Sequence, residues 1–228
     1  MADTLTIDKS SLDVRAAAAI RQQIVAGVLV PGTRLTEMKL AGDLALSRGT
    51  IRAALHLLVG EGLVEQVPYT GWAVARLGPR DLWELYTLRS SLEGLAARLV
   101  AESIDEQRAA RLAQVFDDLV GACQSGNPLL VAESDFALHL AVVSLAGHRR
   151  LSRQYSLVEG QIRMFIASSN ALLPTQQDVI AQHAPLIEWI GRGDVDAAER
   201  AMREHIDSEG RVLMDVANGR TGERANGR

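Results

Sequence analysis

The sequence lacks most of what would hold a disulfide-built secreted fold together. Cys123 is its single cysteine, so no internal disulfide can form. A lone thiol reads as a small buried hydrophobe and fits a reducing compartment. No signal peptide and no run of about 20 apolar residues is present. A cytoplasmic location without membrane contact is therefore expected. Aromatic residues make up only 4% of the chain, against 47% hydrophobic residues rich in Ala and Leu. Such a composition packs helices through aliphatic side chains. A basic excess is missing too, because the formal net charge is −4. Bulk attraction to a polyanion is thereby excluded for the chain as a whole. There is no internal repeat.

What is present divides the chain in two. At 228 residues it exceeds one typical domain. Residues 1–76 carry 8 Lys+Arg against 7 Asp+Glu, and residues 77–228 carry 16 against 21, so the acidic excess lies in the second part. Residues 1–10 are polar and expected to fray. A first helix is expected from Ser11 to Ala26, with Val14, Ala17, Ala18, Ile20, Ile24 and Val25 as its apolar side. Pro31 to Val74 then reads as two short helices, a tight turn, a third helix and a two-stranded wing. Ser47 suits a helix N-cap. Ile51, Ala54, Leu55 and Leu58 recur at helical period and form the buried face of the helix that follows. Arg48, Thr50 and Arg52 stand near its exposed start, where a guanidinium can grip guanine or a phosphate. The free N–H groups of that helix end add a phosphate seat. Leu63 to Val67 alternates like a strand, Pro68-Tyr69-Thr70-Gly71 turns, and Trp72-Ala73-Val74 returns. Gly71 would let backbone approach a phosphate or the minor groove. Arg34 and Lys39 complete the candidate DNA-binding set of Arg34, Lys39, Ser47, Arg48, Thr50, Arg52 and Gly71.

Read together, Pro31-Gly32-Thr33-Arg34-Leu35, Glu37, Leu40-Ala41, Leu44, Ser47-Arg48, Ile51-Arg52, Ala54-Leu55, Leu58, Glu61-Gly62-Leu63-Val64 and Gly71 form an ordered set. This set resembles the winged helix-turn-helix of the GntR family of bacterial transcription regulators. The family often has Pro at the position of Thr50, Glu at that of Ala53 and Arg at that of Met38, where Lys39 follows here. These departures leave the operator sequence open, not the binding mode.

From Asp81 onward only helices are expected, at roughly 80–102, 105–124, 128–146, 149–169, 175–191 and 194–217, and the Gly- and Arg-rich residues 218–228 read as a disordered tail. The whole is a mainly α chain: a winged helix-turn-helix domain at 11–76 and an antiparallel all-helical bundle at 80–217. Asp135 and His139 lie four apart, on one helix face. His183 and His205 sit on two helices joined through Gly191-Arg192-Gly193, a connection short enough to make them antiparallel neighbours. Their distances from that turn put them within about 6 Å in height. Three imidazoles and a carboxylate suit a divalent transition metal, Zn²⁺ first and Ni²⁺, Fe²⁺ or Mn²⁺ as alternatives, with room for water or an anion. A lone helical His is more often a surface or satisfied core residue, and Asp135 could serve as a helix-terminal charge.

Leu85 to Arg89 with Leu92-Glu93, Asp135…His139, Arg163, and His183…Gly193-Asp194…His205 resemble the effector-binding FCD domain of the FadR-type GntR branch. The resemblance implies that Asp135, His139, His183 and His205 bind a metal, that Arg89 and Arg163 face a carboxylate effector, and that a fatty-acyl-CoA is not the effector. Arg89 could equally pair with Glu93 one turn on, and Arg163 could be a solvated charge. His56 and His148 read as exposed polar residues. The expected protein is a homodimeric regulator, a repressor by resemblance and not an enzyme. It would bind a palindromic duplex operator and respond to a small organic acid. A sensor of the ion itself, a metal-dependent hydrolase and an architectural DNA binder are the alternatives. Against the hydrolase stands the lack of an HExxH motif and of an obvious general base.

Overall fold

The structure, a computed structural model, describes residues 11–67, 71–76, 78–173 and 175–218. The turn expected at Pro68-Tyr69-Thr70, the N-terminal ten residues and the tail beyond Asn218 lie outside them. The chain divides into two compact units between Arg76 and Leu77.

The first unit contains α1 (Leu12–Val25), β1 (Arg34–Leu35), α2 (Glu37–Leu44), α3 (Arg48–Gly60), β2 (Val64–Val67) and β3 (Gly71–Val74). Its core is the aliphatic stripe of α3, with Ile51, Ala54, Leu55 and Leu58 all fully buried against Ile20 and Ile24 of α1. That stripe is the one its spacing predicts. On α1 the buried side is Ala16, Ala17, Ile20 and Ile24, while Val14 is exposed. The buried arc of α1 is therefore narrower than its run of alanines suggests. Arg21 reaches from α1 to the C-terminal end of α3 in a two-pronged pair with Glu61. Thr36 caps α2 and Ser47 caps α3, where the Ser47 hydroxyl accepts the Thr50 N–H at 3.1 Å. Such a cap contributes about 0.5–2 kcal/mol. Between the two helices Ala45 adopts a left-handed conformation, φ +53°, and closes the turn by donating to the end of α2.

One short helix, α2, precedes the turn where two were expected, because Arg34–Leu35 is a strand, and the wing is three-stranded, in the order β1-β3-β2, where two strands were expected. Arg34 pairs with Ala73 and Leu35 with Trp72. Two residues are too few to show an alternating pattern, so β1 leaves no periodic trace in the sequence.

The second unit is all helix: α4 (Pro79–Glu102), α5 (Glu106–Ser125), α6 (Pro128–Leu145), α7 (Arg149–Asn170), α8 (Gln176–Gly191) and α9 (Val195–Ala217). Pro79 opens α4, where its missing N–H costs nothing. Asp105, Asn127, Thr175 and Asp194 cap four of the others. α9 lies along α4, and Gly210 lets them close, because a Cβ there would strike the Tyr86 ring. α6 is the one described helix long and apolar enough to cross a membrane by length and composition. It packs against α4, α5 and α7 and buries Asp135 and His139, as a core helix of a helical bundle does.

Candidate functional site

Two polar constellations stand out, one on each unit. On the first, Ser47 starts α3 with Arg48 and Arg52 exposed, their side chains 67% and 56% accessible. Arg52 is gripped at both ends of its fork by Glu37 of α2, at 2.7 and 2.8 Å. Arg48 approaches the same carboxylate at 3.6 Å. The Trp72 indole N–H reaches it too, at 3.4 Å, and His56 packs edge-on against Trp72. The Arg52 fork, followed by burial in the opposing sense and Trp72, holds the Glu37 carboxyl down to about 2. Arg34, Arg48, Arg52 and Gly71 border one open hollow with Glu37 at its floor. Lys39 and Thr50 are placed on α2 and at the start of α3. Glu37 was quoted in the sequence pattern but not as a site residue. Its role rests on a contact fifteen residues away in the chain.

On the second unit, Asp135 and His139 of α6 meet His183 of α8 and His205 of α9. The Asp135 Oδ1 lies 3.3 Å from His139 Nε2 and 3.2 Å from His183 Nε2. His139 Nε2 is 3.2 Å from His183 Nε2 and 3.4 Å from His205 Nε2. All four residues are at least 94% buried. Partners fix the protons. The Val179 carbonyl can only accept, so His183 carries its proton on Nδ1, donated at 2.8 Å. His139 turns Nδ1 toward Glu93 Oε2 at 2.5 Å. His183 thus aims a bare Nε2 lone pair at His139 Nε2 and at the Asp135 Oδ1, which has no hydrogen-bond partner among the described residues, and His139 does the same in its neutral form with the proton on Nδ1. Such a meeting is repulsive unless a cation lies between. Two ligands of a tetrahedral ion bound at about 2.0–2.1 Å stand about 3.3–3.4 Å apart, and the observed spacings match that edge. The three imidazoles form a group able to hold a metal ion.

The surroundings tune the charges of these four residues. Burial would raise the Asp135 carboxyl, but His183 and His139 hold it well below its usual range, and Asn170 donates to its other oxygen at 2.9 Å. Burial, with His183 and His139, pushes His205 well down and keeps it neutral, as a ligand must be. Burial would also lower His139, yet Glu93 outweighs it and lifts the ring to about 9. A proton can therefore stand in the cation's place and be released when a metal arrives.

Comparison with known proteins covers both units. Residues 12–74 match the model for bacterial regulatory proteins of the gntR family, and residues 84–208 match the FCD domain. The chain belongs to the GntR family. It joins the family's DNA-binding head to an FCD domain in the FadR-type arrangement, and it is a DNA-binding transcriptional regulator. It is 28% identical over 187 residues to the "Probable D-xylose utilization operon transcriptional repressor" of Paenarthrobacter nicotinovorans, covering 82% of each chain. It is 28% identical over 223 residues to the Glc operon transcriptional activator of Escherichia coli K12, covering 88% of each. Its fold is similar to that of E. coli McbR/YncC, with a TM-score of 0.76 at 20% identity, covering 93% of this chain and 100% of that one.

Within this GntR regulator the two candidate effector arginines differ sharply. Arg89 is wholly buried and bound twice, to Glu93 Oε1 at 2.7 Å and to Glu209 Oε2 at 3.1 Å. Glu93 also accepts from the Tyr155 hydroxyl at 3.0 Å. Burial would raise Glu93, but Arg89 and His139 outweigh it and bring it to about 2. The third Arg89 nitrogen, Nη2, has no hydrogen-bond partner among the described residues. Arg163 is part-exposed, paired with Glu159 and laid over the Phe136 ring at 3.8 Å. His148, read as an exposed polar residue, caps α7 by accepting the Leu151 N–H. Glu93, Tyr155, Asn170 and Glu209 went unnoticed as site residues. The sequence signals among them were the four-residue spacings of Arg89 with Glu93 and of His205 with Glu209.

Proposed function

We propose that this regulator holds a divalent metal, Zn²⁺ first, on Asp135, His139, His183 and His205, and that a small organic acid bound beside it controls operator affinity. The meeting of three imidazoles, two of them with Nε2 within 3.3 Å of the Asp135 Oδ1, carries this reading. Arg89 Nη2 offers a free donor next to the cluster, and Arg163 is a second cation for an acid's far end. A metal there would supply a Lewis-acidic seat for the acid's oxygen. The names of the two relatives tie them to the D-xylose utilization and Glc operons, which supports control by a small metabolite. One of them is named a repressor, which favours repression relieved by the effector. A homodimer on a palindromic operator, in the cytoplasm, completes the proposal, with Arg34, Lys39, Ser47, Arg48, Thr50, Arg52 and Gly71 as the DNA contacts.

A second reading makes the ion itself the signal. It draws support from the ligand spacing, since four protein ligands complete a tetrahedral shell. A gel-shift titration separates the two. An operator fragment selected from random duplexes is challenged with a panel of small carboxylates, using metal-loaded and chelated protein. One acid should weaken binding at least about 5-fold, and only with metal present. Release caused by metal alone favours the second reading. An acid response that survives chelation defeats the metal-linked proposal.

A further inference from the structure

We propose that Glu209 is a built-in competitor for acidic effectors, its carboxylate filling the seat that a ligand carboxylate would take between Arg89 and the metal. The inference rests on the metal-and-acid reading above. Glu209 lies on α9, one turn beyond His205, and is 95% buried. One of its oxygens, Oε2, takes the Arg89 Nη1 proton at 3.1 Å. The other, Oε1, lies 3.8 Å from His205 Nε2 and accepts from the Ser169 hydroxyl at 3.4 Å. One oxygen on a guanidinium and the other facing the imidazole cluster is the posture expected of a bound carboxylate.

Glu209 also lines a cavity of about 160 Å³ with Ser169, Gln182 and Val212. It therefore belongs both to the cavity wall and to the surroundings of the cluster. Charge makes the competition exclusive. Asp135, Glu93 and Glu209 balance Arg89 and a divalent ion. A further carboxylate would place an uncompensated charge in a dry interior, which is strongly unfavourable. An acid can enter only as Glu209 leaves, and the cavity gives that side chain somewhere to go. The newcomer would inherit the Arg89 Nη1 and gain Nη2, which has no partner among the described residues. The exchange would also break the buried ion pair between α4 and α9, leaving the exposed Arg98 pairs with Asp196 and Glu199. α4 is the helix that follows the DNA-binding unit in the chain.

The test uses the full chain loaded with Co²⁺, whose visible absorption reports its ligands, titrated with acetate as the probe. Glu209→Gln removes the competing charge and should bind acetate about 10-fold tighter than the unaltered chain, because the closed conformer no longer taxes the apparent affinity. Glu209→Asp keeps the charge but, one methylene shorter, loosens its reach to Arg89; it guards against a folding defect and should fall between them. Equal or weaker acetate binding in Glu209→Gln, with the Co²⁺ spectrum intact, overturns the competitor role and leaves the metal site standing. If no chain gives a Co²⁺ spectrum with imidazole ligands, the metal reading falls and this inference with it.

Discussion

The two units use the same ion pair for opposite ends. Arg52 meets Glu37 at 2.7 Å and Arg89 meets Glu93 at 2.7 Å, yet the first arginine is 56% exposed and the second is fully buried. In water such a pair is weakly held and exchangeable, worth about 0–1 kcal/mol. In the proposed DNA complex a phosphate or a guanine would replace Glu37, which here holds both prongs of the Arg52 fork. In the dry interior neither partner can leave without stranding the other. Distance alone says nothing about which kind of pair it is. Burial decides whether a charge is a contact in reserve or a part of the frame.

The sharpest way to break this comparison is to delete one buried partner. Glu93→Ala should cost about 3–5 kcal/mol in urea unfolding, since Arg89 and His139 both lose their anion. A loss near that of a surface pair would mean water reaches the site. Next comes His183→Ala, which should weaken Zn²⁺ binding beyond the roughly 10–100-fold typical of losing an outer partner, as read by competition with a chromophoric chelator. On the other unit, Arg52→Ala should cost about 1–3 kcal/mol of operator binding and relax preference at the base it reads, with unfolding little changed. Unaltered gel-shift affinity would remove Arg52 from the interface. The smallest effect concerns pH. Because Glu37 is held at about 2, below its ordinary 4.5, its contribution to stability is full above about 4.5 and fades as pH falls toward 2. The stability gap between the unaltered chain and Glu37→Gln should close over that window in acid titrations followed by circular dichroism.

Much of this was legible in the amino-acid order. Every long helix of the second unit begins and ends within about two residues of its expected bounds, because glycines, prolines and capping residues punctuate the chain clearly. The stripe Ile51, Ala54, Leu55 and Leu58 was legible through its period. The meeting of His183 with His205 followed from their distances to one turn, and their rings lie 4.5 Å apart. Other features were hidden for a physical reason. Glu209 is 120 residues from Arg89 and Glu37 is 15 from Arg52, so no local period links them. Whether Arg89 faces solvent or interior depends on how α9 lies along α4, and that follows from small residues such as Gly210 rather than from α4's own pattern. The third strand of the wing was lost to its brevity.

Ala45 has a consequence beyond closing a turn. Its left-handed backbone costs a residue with a Cβ about 1–2 kcal/mol, which a glycine would not incur. A glycine at that corner would also swivel through many more angles. The methyl group leaves that corner fewer shapes than a glycine would have, and the capping bonds at the end of α2 hold it in the strained one, which sets the direction in which α3 starts. In the proposed operator complex, the aim of α3 therefore depends on one small residue in the turn before it.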